Sequence, residues 1–600
     1  MATELTDSDS VRSSKPLKYV RTATFERPLE LELGGTLDRV TVAYETYGTL
    51  DATSSNVVLI CHALTGDSHA ARHNESDDPG WWDIAVGPGK AIDTDKYFVV
   101  CPNILGGCRG TTGPNSINPA TLRPYGADFP TITIGDMVSV QRMLLDHLGA
   151  ATLLAVVGGS MGGHQVLAWA TKFPKYLRGA IAIATSPRLT SQALAFDVVG
   201  RNAIMQDPNF QGGQYYGNGG PNIGLAIARM IGHITYLSPQ AMQEKFETNR
   251  LQPRDVPTEF EKKFSVGSYL GYQGDKFVDR FDANSYIRLT MAMDLFDMGG
   301  TVDDLAAAFW PAQCRWLVVS YTSDWLFPPA QSQEIVNALV ADNKPVSYCN
   351  VVSDCGHDAF LLPDEIDCYG ELIRAFLANV DGGAGSSPGV DLASDAPAPT
   401  SIFQPKRLDY DRIVELVPNA ANILDLGCGR GSLLWRLKRG GHKRLVGVEL
   451  DEKAIVACVR RGLNVIQADL NRGIGMFDDD QFDVVVLSQT LQAVKDVEGV
   501  LREMLRVGRE CIVSFPNFGY KKLRNMLAAN GKAPESTGQL RYKWYNTPNI
   551  RFFSIADFED FCRDKNIKIH RRLALDTECG QEILDDPNLN ADMAIVVISK

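Results

Sequence analysis

Six hundred residues exceed what one hydrophobic core organises and predict two to four domains. The composition, 44% hydrophobic and 22% charged, is that of a globular protein, and a formal charge of −13 argues against a general nucleic-acid binder. Met1 to Lys18 is polar, with no apolar core of a signal peptide, and no apolar run reaches the length of a membrane span. The twelve cysteines form no CxxC, and several (Cys61, Cys101, Cys511) sit in apolar runs as small hydrophobes. That usage suits a reducing cytoplasm and suggests neither a disulfide framework nor a zinc site, so no metal is expected.

Residues 1 to 18 read as a disordered tail. Leu29 to Tyr47 alternates like opening antiparallel strands. Asn56 to Ile60 and Tyr97 to Cys101 are short buried strands, and Ile134 to Leu148 has helical spacing, with Met137, Val140, Leu144, Leu145 and Leu148 on one face. Leu153 to Val157 is a strand that runs into Gly158-Gly159-Ser160-Met161-Gly162, with a helix from His164 to Phe173 and a strand from Ala180 to Ala184 behind it. Such alternation predicts a mostly parallel sheet covered on both faces. Residues 188 to about 310 break it and read as a helical insertion over the cleft. Strands resume at Arg315 to Ser320 and Val346 to Val352, and a helix over Asp364 to Ala378 closes the unit at about residue 380. Asp381 to Thr400 reads as a linker, because Gly, Ser, Pro and Ala make up 14 of its 20 residues. A second βα pattern fills 404–600. The predicted fold class is α/β: an α/β-hydrolase fold with a helical lid insertion, then a Rossmann-like, class I methyltransferase-type domain.

G-x-S-x-G between a strand and a helix is the nucleophile-elbow pattern. The turn is too tight for a Cβ at Gly158 or Gly162, and it aims a helix N-terminus, with its unpaired N–H groups, at the Ser160 hydroxyl. A serine nucleophile needs a base, and the base needs an orienting carboxylate, in the chain order Ser, Asp, His. Asp324 follows a strand by four residues, and His357 lies just after the last strand. Both fall at strand carboxyl ends, on the side where the elbow presents Ser160. The oxyanion donors expected are the backbone N–H groups of Met161, next to the nucleophile, and Leu64, in the turn His62 to Gly66. His62 itself reads as structural. These residues predict an acyl-enzyme and leave open whether water or another acceptor resolves it.

Five stretches, the elbow among them, resemble the MetX-type homoserine O-acetyltransferases: Cys61 to Asp67, Gly106 to Pro114, Gly159 to Gly163, Ile227 to Tyr236 and Gly356 to Phe360. The likeness covers about residues 17 to 380. It implies ping-pong transfer from the co-substrate acetyl-CoA to Ser160 and then to the hydroxyl of L-homoserine, without a cofactor, in a cytoplasmic homodimer. It also implies that Arg229 and Asp358 hold the amino acid; a guanidinium suits an α-carboxylate and a carboxylate an α-ammonium. Succinyl-using relatives place an arginine two residues after the triad aspartate, where this chain has Leu326, so acetyl-CoA is the expected donor. Succinyl-CoA, serine as acceptor, and plain hydrolysis remain open.

In the second half, Asp425-x-Gly427-x-Gly429-x-Gly431 follows a strand, and Glu449 ends the next one. This arrangement suits S-adenosylmethionine: the glycines let the backbone approach the cofactor and the acid accepts from ribose hydroxyls. Asp469 falls where the adenine would lie. The stretches Val484 to Ala493, Ser514 to Gly519 and Trp544 to Ile550 resemble the MetW family. That family is methyltransferase-like, and some of its members are partners needed for acyltransferase activity, so the resemblance implies such a partner supplied here in the same chain. No residue identifies a methyl acceptor, so a working methyltransferase and a binding module that performs no methylation both stand.

Overall fold

The computed structural model describes residues 17–248, 250–251, 260–382, 407–535 and 543–600. The expected tail and linker therefore lie almost entirely outside the described residues. One compact unit holds the chain up to Pro345 with Asn350–Asp381; the other holds Val346–Cys349 with Gly382–Lys600.

The first unit is built on a sheet of β1 (Arg21–Phe25), β2 (Val40–Tyr47), β3 (Val57–Cys61), β4 (Phe98–Pro102), β5 (Leu153–Gly159), β6 (Leu177–Ile183) and β7 (Arg315–Tyr321), in the order β1-β2-β4-β3-β5-β6-β7. The two opening strands pair antiparallel and the rest are parallel from β4 onward. Every residue of β3 and β5 is buried, as expected of strands covered on both faces. A further strand, β8 (Val346–Val351), leads towards His357.

Helix α1 (Ile134–His147) begins at a capping box in which Thr133 and Asp136 satisfy each other's backbone N–H. It packs against α2 (Met161–Lys172), the helix that the elbow launches. The insertion contains α3 (Ser191–Met205), α4 (Asn222–Tyr236), α5 (Pro239–Phe246), α6 (Ser265–Val278) and α7 (Ala283–Asp294). The last helix of the expected span behaves differently. In α8 (Val302–Phe309), the buried Phe309 meets Trp316 of β7 edge-to-face, 5.4 Å between centroids. That helix belongs to the sheet's cover, so the insertion ends nearer Asp294 than residue 310.

The second unit has strands β9 (Ile423–Leu426), β10 (Leu445–Glu449), β11 (Asn464–Gln467), β12 (Phe482–Ser488), β13 (Gly508–Pro516), β14 (Lys568–Asp576) and β15 (Met593–Ser599). Their order is β11-β10-β9-β12-β13-β15-β14, parallel except that β15 runs antiparallel to both neighbours. The order reverses at β9, so a crevice opens beyond the carboxyl ends of β9 and β12, the usual ligand position in such sheets. The glycine-rich turn lies there. Among the described residues, no helix is long and apolar enough to cross a membrane.

Candidate active site

Ser160 sits on the turn between β5 and α2 with φ 58° and ψ −126°. A non-glycine residue in that region is strained, and the surroundings must hold it there. They do: Ser160 N–H donates to the Ile183 carbonyl at 3.0 Å, and Thr185 Oγ1 donates to the Ser160 carbonyl at 2.9 Å. A Cβ on Gly162 would collide with the Cys61 carbonyl, and one on Gly158 with the Gly162 backbone. Both glycines are thus required by close backbone approach.

His357 and Asp324 come together as the chain order predicts. His357 Nδ1 lies 2.8 Å from Asp324 Oδ2, and both side chains are buried. The other carboxylate oxygen, Oδ1, accepts from the backbone N–H groups of Leu326 (3.1 Å) and Phe327 (2.9 Å). Asp324 is therefore fixed on both sides and remains an acceptor for the imidazole. The Phe327 ring stacks on His357, 4.9 Å between centroids. Burial alone would lower the pKa of His357; the charge and hydrogen bond of Asp324, with Asp358 behind it, outweigh burial and set it above the ordinary value.

Ser160 opens into a cavity that it shares with Leu64, Asp197, Tyr236, Tyr286 and Leu326. Leu64, the expected second oxyanion donor, lines the same cavity as Ser160. Met161 is the first residue of α2, so no turn of that helix engages its N–H. His62 is taken up by the fold: Nδ1 lies 2.8 Å from the Ala63 carbonyl, and Nε2 accepts from Ile104 N–H at 3.3 Å.

Arg229, on α4, packs its guanidinium over the rings of Phe277 (4.9 Å) and Tyr236 (5.6 Å) and donates to Thr65 Oγ1 at 3.3 Å. Asp358 follows His357 directly. Burial raises its carboxyl pKa above the ordinary value, although His357 and Arg229 pull it down. Sequence patterns did not point to Arg280 or Asp197. Arg280 donates to the Thr65 carbonyl at 3.0 Å and so braces the loop that carries Leu64. Asp197 enters the cavity from α3 with no motif around it.

In the second unit the glycine turn has three left-handed residues, Gly427 (φ 69°), Gly429 (φ 54°) and Gly431 (φ 74°). A Cβ at Gly431 would strike Leu463 and Cys458, whereas one at Gly429 would meet nothing, so Gly429 borders open space. Glu449 Oε2 accepts from Gly429 N–H at 2.7 Å, and its Oε1 from Leu450 and Asp451 N–H at 2.7 and 3.0 Å. Asp425 is buried, with no partner for Oδ1 among the described residues, and burial pushes its carboxyl up to about 8. Both polar ends of the Gln489 amide, just past β12, also lack a partner among the described residues. Asp469 lies two residues past β11 and uses Oδ1 to cap Asn471 N–H at 2.9 Å.

The elbow and the buried Asp–His pair are arranged as in an α/β-hydrolase fold, and a methyltransferase-like domain follows. Residues 56–364 match the family model described as alpha/beta hydrolase fold, and residues 407–598 that of methionine biosynthesis protein MetW. The bifunctional methionine biosynthesis protein MetXA/MetW of Rhodopirellula baltica is 50% identical over 100% of this chain and 96% of its own. The chain belongs to that MetXA/MetW family. Its first unit is also similar to the homoserine O-acetyltransferase of Methanosphaerula palustris (54% identity, 58% of this chain, 72% of that one). The homoserine O-succinyltransferase of Halothiobacillus neapolitanus is close behind (51%, 60% and 90%). Among solved structures, the homoserine O-acetyltransferase of Bacillus anthracis aligns with TM-score 0.54 at 30% identity, covering 60% of this chain and 98% of that one. Esterase E22 aligns with TM-score 0.55 at 31%, covering 60% and 100%.

Proposed function

We propose that the first unit is a homoserine O-acetyltransferase of methionine biosynthesis. The observation that carries this reading is the buried Asp324–His357 pair, whose stacking partner Phe327 lines the cavity of Ser160, with Asp358 following His357 and Arg229 packed over Tyr236 of the same cavity. His357 takes the Ser160 proton as Oγ attacks the thioester carbonyl of acetyl-CoA. The Met161 and Leu64 N–H groups receive the developing oxyanion. The CoA sulfur leaves with the proton from His357, and acetyl-Ser160 remains. The homoserine hydroxyl then attacks, giving its proton to His357, which returns it to Ser160 as O-acetyl-L-homoserine departs. Arg229 pairs with the homoserine carboxylate and Asp358 with its ammonium.

Homoserine acetyl- and succinyltransferases are both about 50% identical to this chain, so overall similarity does not choose the donor. Leu326 does. It lines the Ser160 cavity, and its apolar side chain accommodates a methyl group but leaves a succinyl carboxylate buried without a partner, a costly arrangement. The test is kcat/KM for acetyl-CoA and succinyl-CoA, with homoserine and serine as acceptors. Acetyl-CoA with homoserine is expected to lead by at least about tenfold, the scale of one pocket contact. Leu326→Arg is expected to move the donor ratio towards succinyl-CoA, and a wild-type preference for succinyl-CoA overturns the donor assignment. Water is the competing acceptor, as in an esterase. Steady acetate release without homoserine, as fast as transfer, favours that second reading.

For the second unit we propose a domain that supports the transferase and holds S-adenosylmethionine. Open space over Gly429, the orphaned Asp425 Oδ1 and the unpartnered Gln489 amide support the fit of such a cofactor. Gly427, Gly429 and Gly431 would admit it, Glu449 would hold its ribose, and Asp469 would lie near its adenine. When bound, the cofactor supplies an electrophilic methyl group. Cleavage near Ser387 is expected to lower transferase activity several-fold, and adding back residues 404–600 to restore it, since a tether only raises effective concentration. Full activity of the first piece alone contradicts the supporting role. Calorimetric titration of the intact chain with S-adenosylmethionine tests the cofactor. Exposed Ile223, Ile227 and Ile234 on α4 support a homodimer joined through the insertion, which sedimentation of the purified chain checks.

A further inference from the structure

Away from Ser160, three potential metal ligands converge on one point. Glu45 is on β2 with its side chain fully buried. His69 Nδ1 lies 2.9 Å and His73 Nε2 2.8 Å from the same carboxylate oxygen, Oε2. The Tyr47 hydroxyl donates to that oxygen as well, at 3.0 Å. Its twin, Oε1, is buried and has no hydrogen-bond partner among the described residues. The ligand atoms of the three residues all lie within 4.8 Å of one another. Three donors crowded on one oxygen, with the other left bare, is a poor way to satisfy a buried carboxylate by hydrogen bonds alone.

We propose that Glu45, His69 and His73 form a binding site for a divalent transition-metal ion of the zinc type. Two imidazoles and one carboxylate are a donor set suited to such ions and unsuited to calcium or magnesium, which take oxygen ligands. The outer contacts fit too. His69 Nε2 faces the Asp78 carbonyl at 2.9 Å, so a metal on Nδ1 leaves Nε2–H donating to a backbone oxygen, the usual way a ligating histidine is oriented. His73 is clamped between the rings of Tyr47 (4.5 Å, stacked) and Tyr19 (4.4 Å). Its backbone N–H donates to Asp77 at 2.9 Å. Binding needs the nitrogen–oxygen separations to widen from near 2.9 Å, and the two imidazole nitrogens, which lie within 4.8 Å of each other, to settle at the same roughly 3.3 Å that separates tetrahedral ligands at about 2.0 Å from zinc. The protons now held between the imidazole nitrogens and Glu45 pass to solvent as the lone pairs turn to the metal.

The site is not catalytic. It would tie the segment 69–73, which follows the loop carrying Leu64, to strand β2. Its test therefore does not rely on transferase activity. The intact chain, freed of metal by chelator and desalted, is titrated with Zn2+ and in parallel with Co2+. One equivalent of Zn2+ per chain is expected, with a rise in melting temperature and, for Co2+, the visible absorption of a four-coordinate site. His69→Gln and His73→Gln are each expected to lose the stoichiometric binding and the cobalt band. The wild-type titration stands even where a variant fails to fold. Failure of the wild-type chain to bind a full equivalent overturns the proposal, as does binding that both variants retain.

Discussion

Ser160→Ala is expected to lower acyl transfer by about 10^4-fold or more, with the melting curve nearly unchanged. The side chain is small, so its removal leaves no large cavity, and alanine relieves none of the contacts that hold the turn. The positive φ at this position persists, because the Ile183 and Thr185 hydrogen bonds act on the backbone. What is lost is the oxygen that becomes acylated. His357→Ala and Asp324→Asn are expected to be severe as well, but a double variant with Ser160→Ala should fall no further, since the three residues act on one proton and one bond. Asp324→Asn has an additional reason to fail. An amide at position 324 either keeps its oxygen on the Leu326 and Phe327 N–H groups and turns a donor to the imidazole, or turns a neutral acceptor to the imidazole and sets its NH2 against both N–H groups; neither stabilises the imidazole cation. Because Asp324 and Asp358 outweigh burial and raise the pKa of His357, the ring must lose its proton at a higher pH before it can serve as base. The acid limb of kcat/KM is therefore expected above the ordinary histidine value of about 6.5, with activity lost as pH falls through it. Stopped-flow release of CoA and a pH–rate series measure both effects. Retention of more than a few per cent of wild-type transfer by Ser160→Ala would falsify the covalent route.

The elements that carry this chemistry were legible because each announces itself locally. The elbow is a contiguous string, and its glycines are dictated by contacts within the same turn and with β3. The order of Ser160, Asp324 and His357 follows from topology: strands of a parallel sheet end on one side, so residues just past β5, β7 and β8 meet there. The second sheet was likewise legible from its glycine turn and from an acid placed at the end of the following strand. What was not legible depends on packing between distant segments. Asp197 reaches the Ser160 cavity only because α3 is laid across it, and its own helix carries no pattern that sets it apart. Arg280 braces Thr65 across 215 residues. Glu45 meets His69 and His73 over separations of 24 and 28 residues; the H-x3-H spacing of the two histidines is local, but the glutamate beside them comes from a distant strand, and a reading from cysteine usage does not weigh that trio. The end of the insertion was misplaced for a related reason. The amphipathic spacing of Val302–Phe309 says that one face is buried, but only the contact with Trp316 says against what.

Arg229→Ala is expected to cut kcat/KM for homoserine on the order of 10^2- to 10^3-fold, while the burst in which acetyl-CoA acylates Ser160 persists. Loss of one member of a desolvated charge pair costs about 2–5 kcal/mol, much of it from the partner charge left unpaired, and that range contains the expected fold-change. The environment of Arg229 argues for the upper part of the range. Its guanidinium lies against two aromatic rings, which exclude water, and its hydrogen bond to Thr65 Oγ1 holds it towards the loop of Leu64. A substrate carboxylate placed there would meet a pre-positioned planar donor, which lysine's point charge does not reproduce, so Arg229→Lys should recover only part of the loss. Acylation is spared because acetyl-CoA brings no carboxylate to this position. The two half-reactions therefore separate the role of Arg229 from a structural one: general damage to the cavity would depress the burst and the transfer together. Single-turnover measurement of the burst, followed by homoserine-dependent decay of acetyl-Ser160, decides the matter. A lost burst with an unchanged homoserine KM would rule out Arg229 as the carboxylate ligand and return it to the packing of Phe277 and Tyr236.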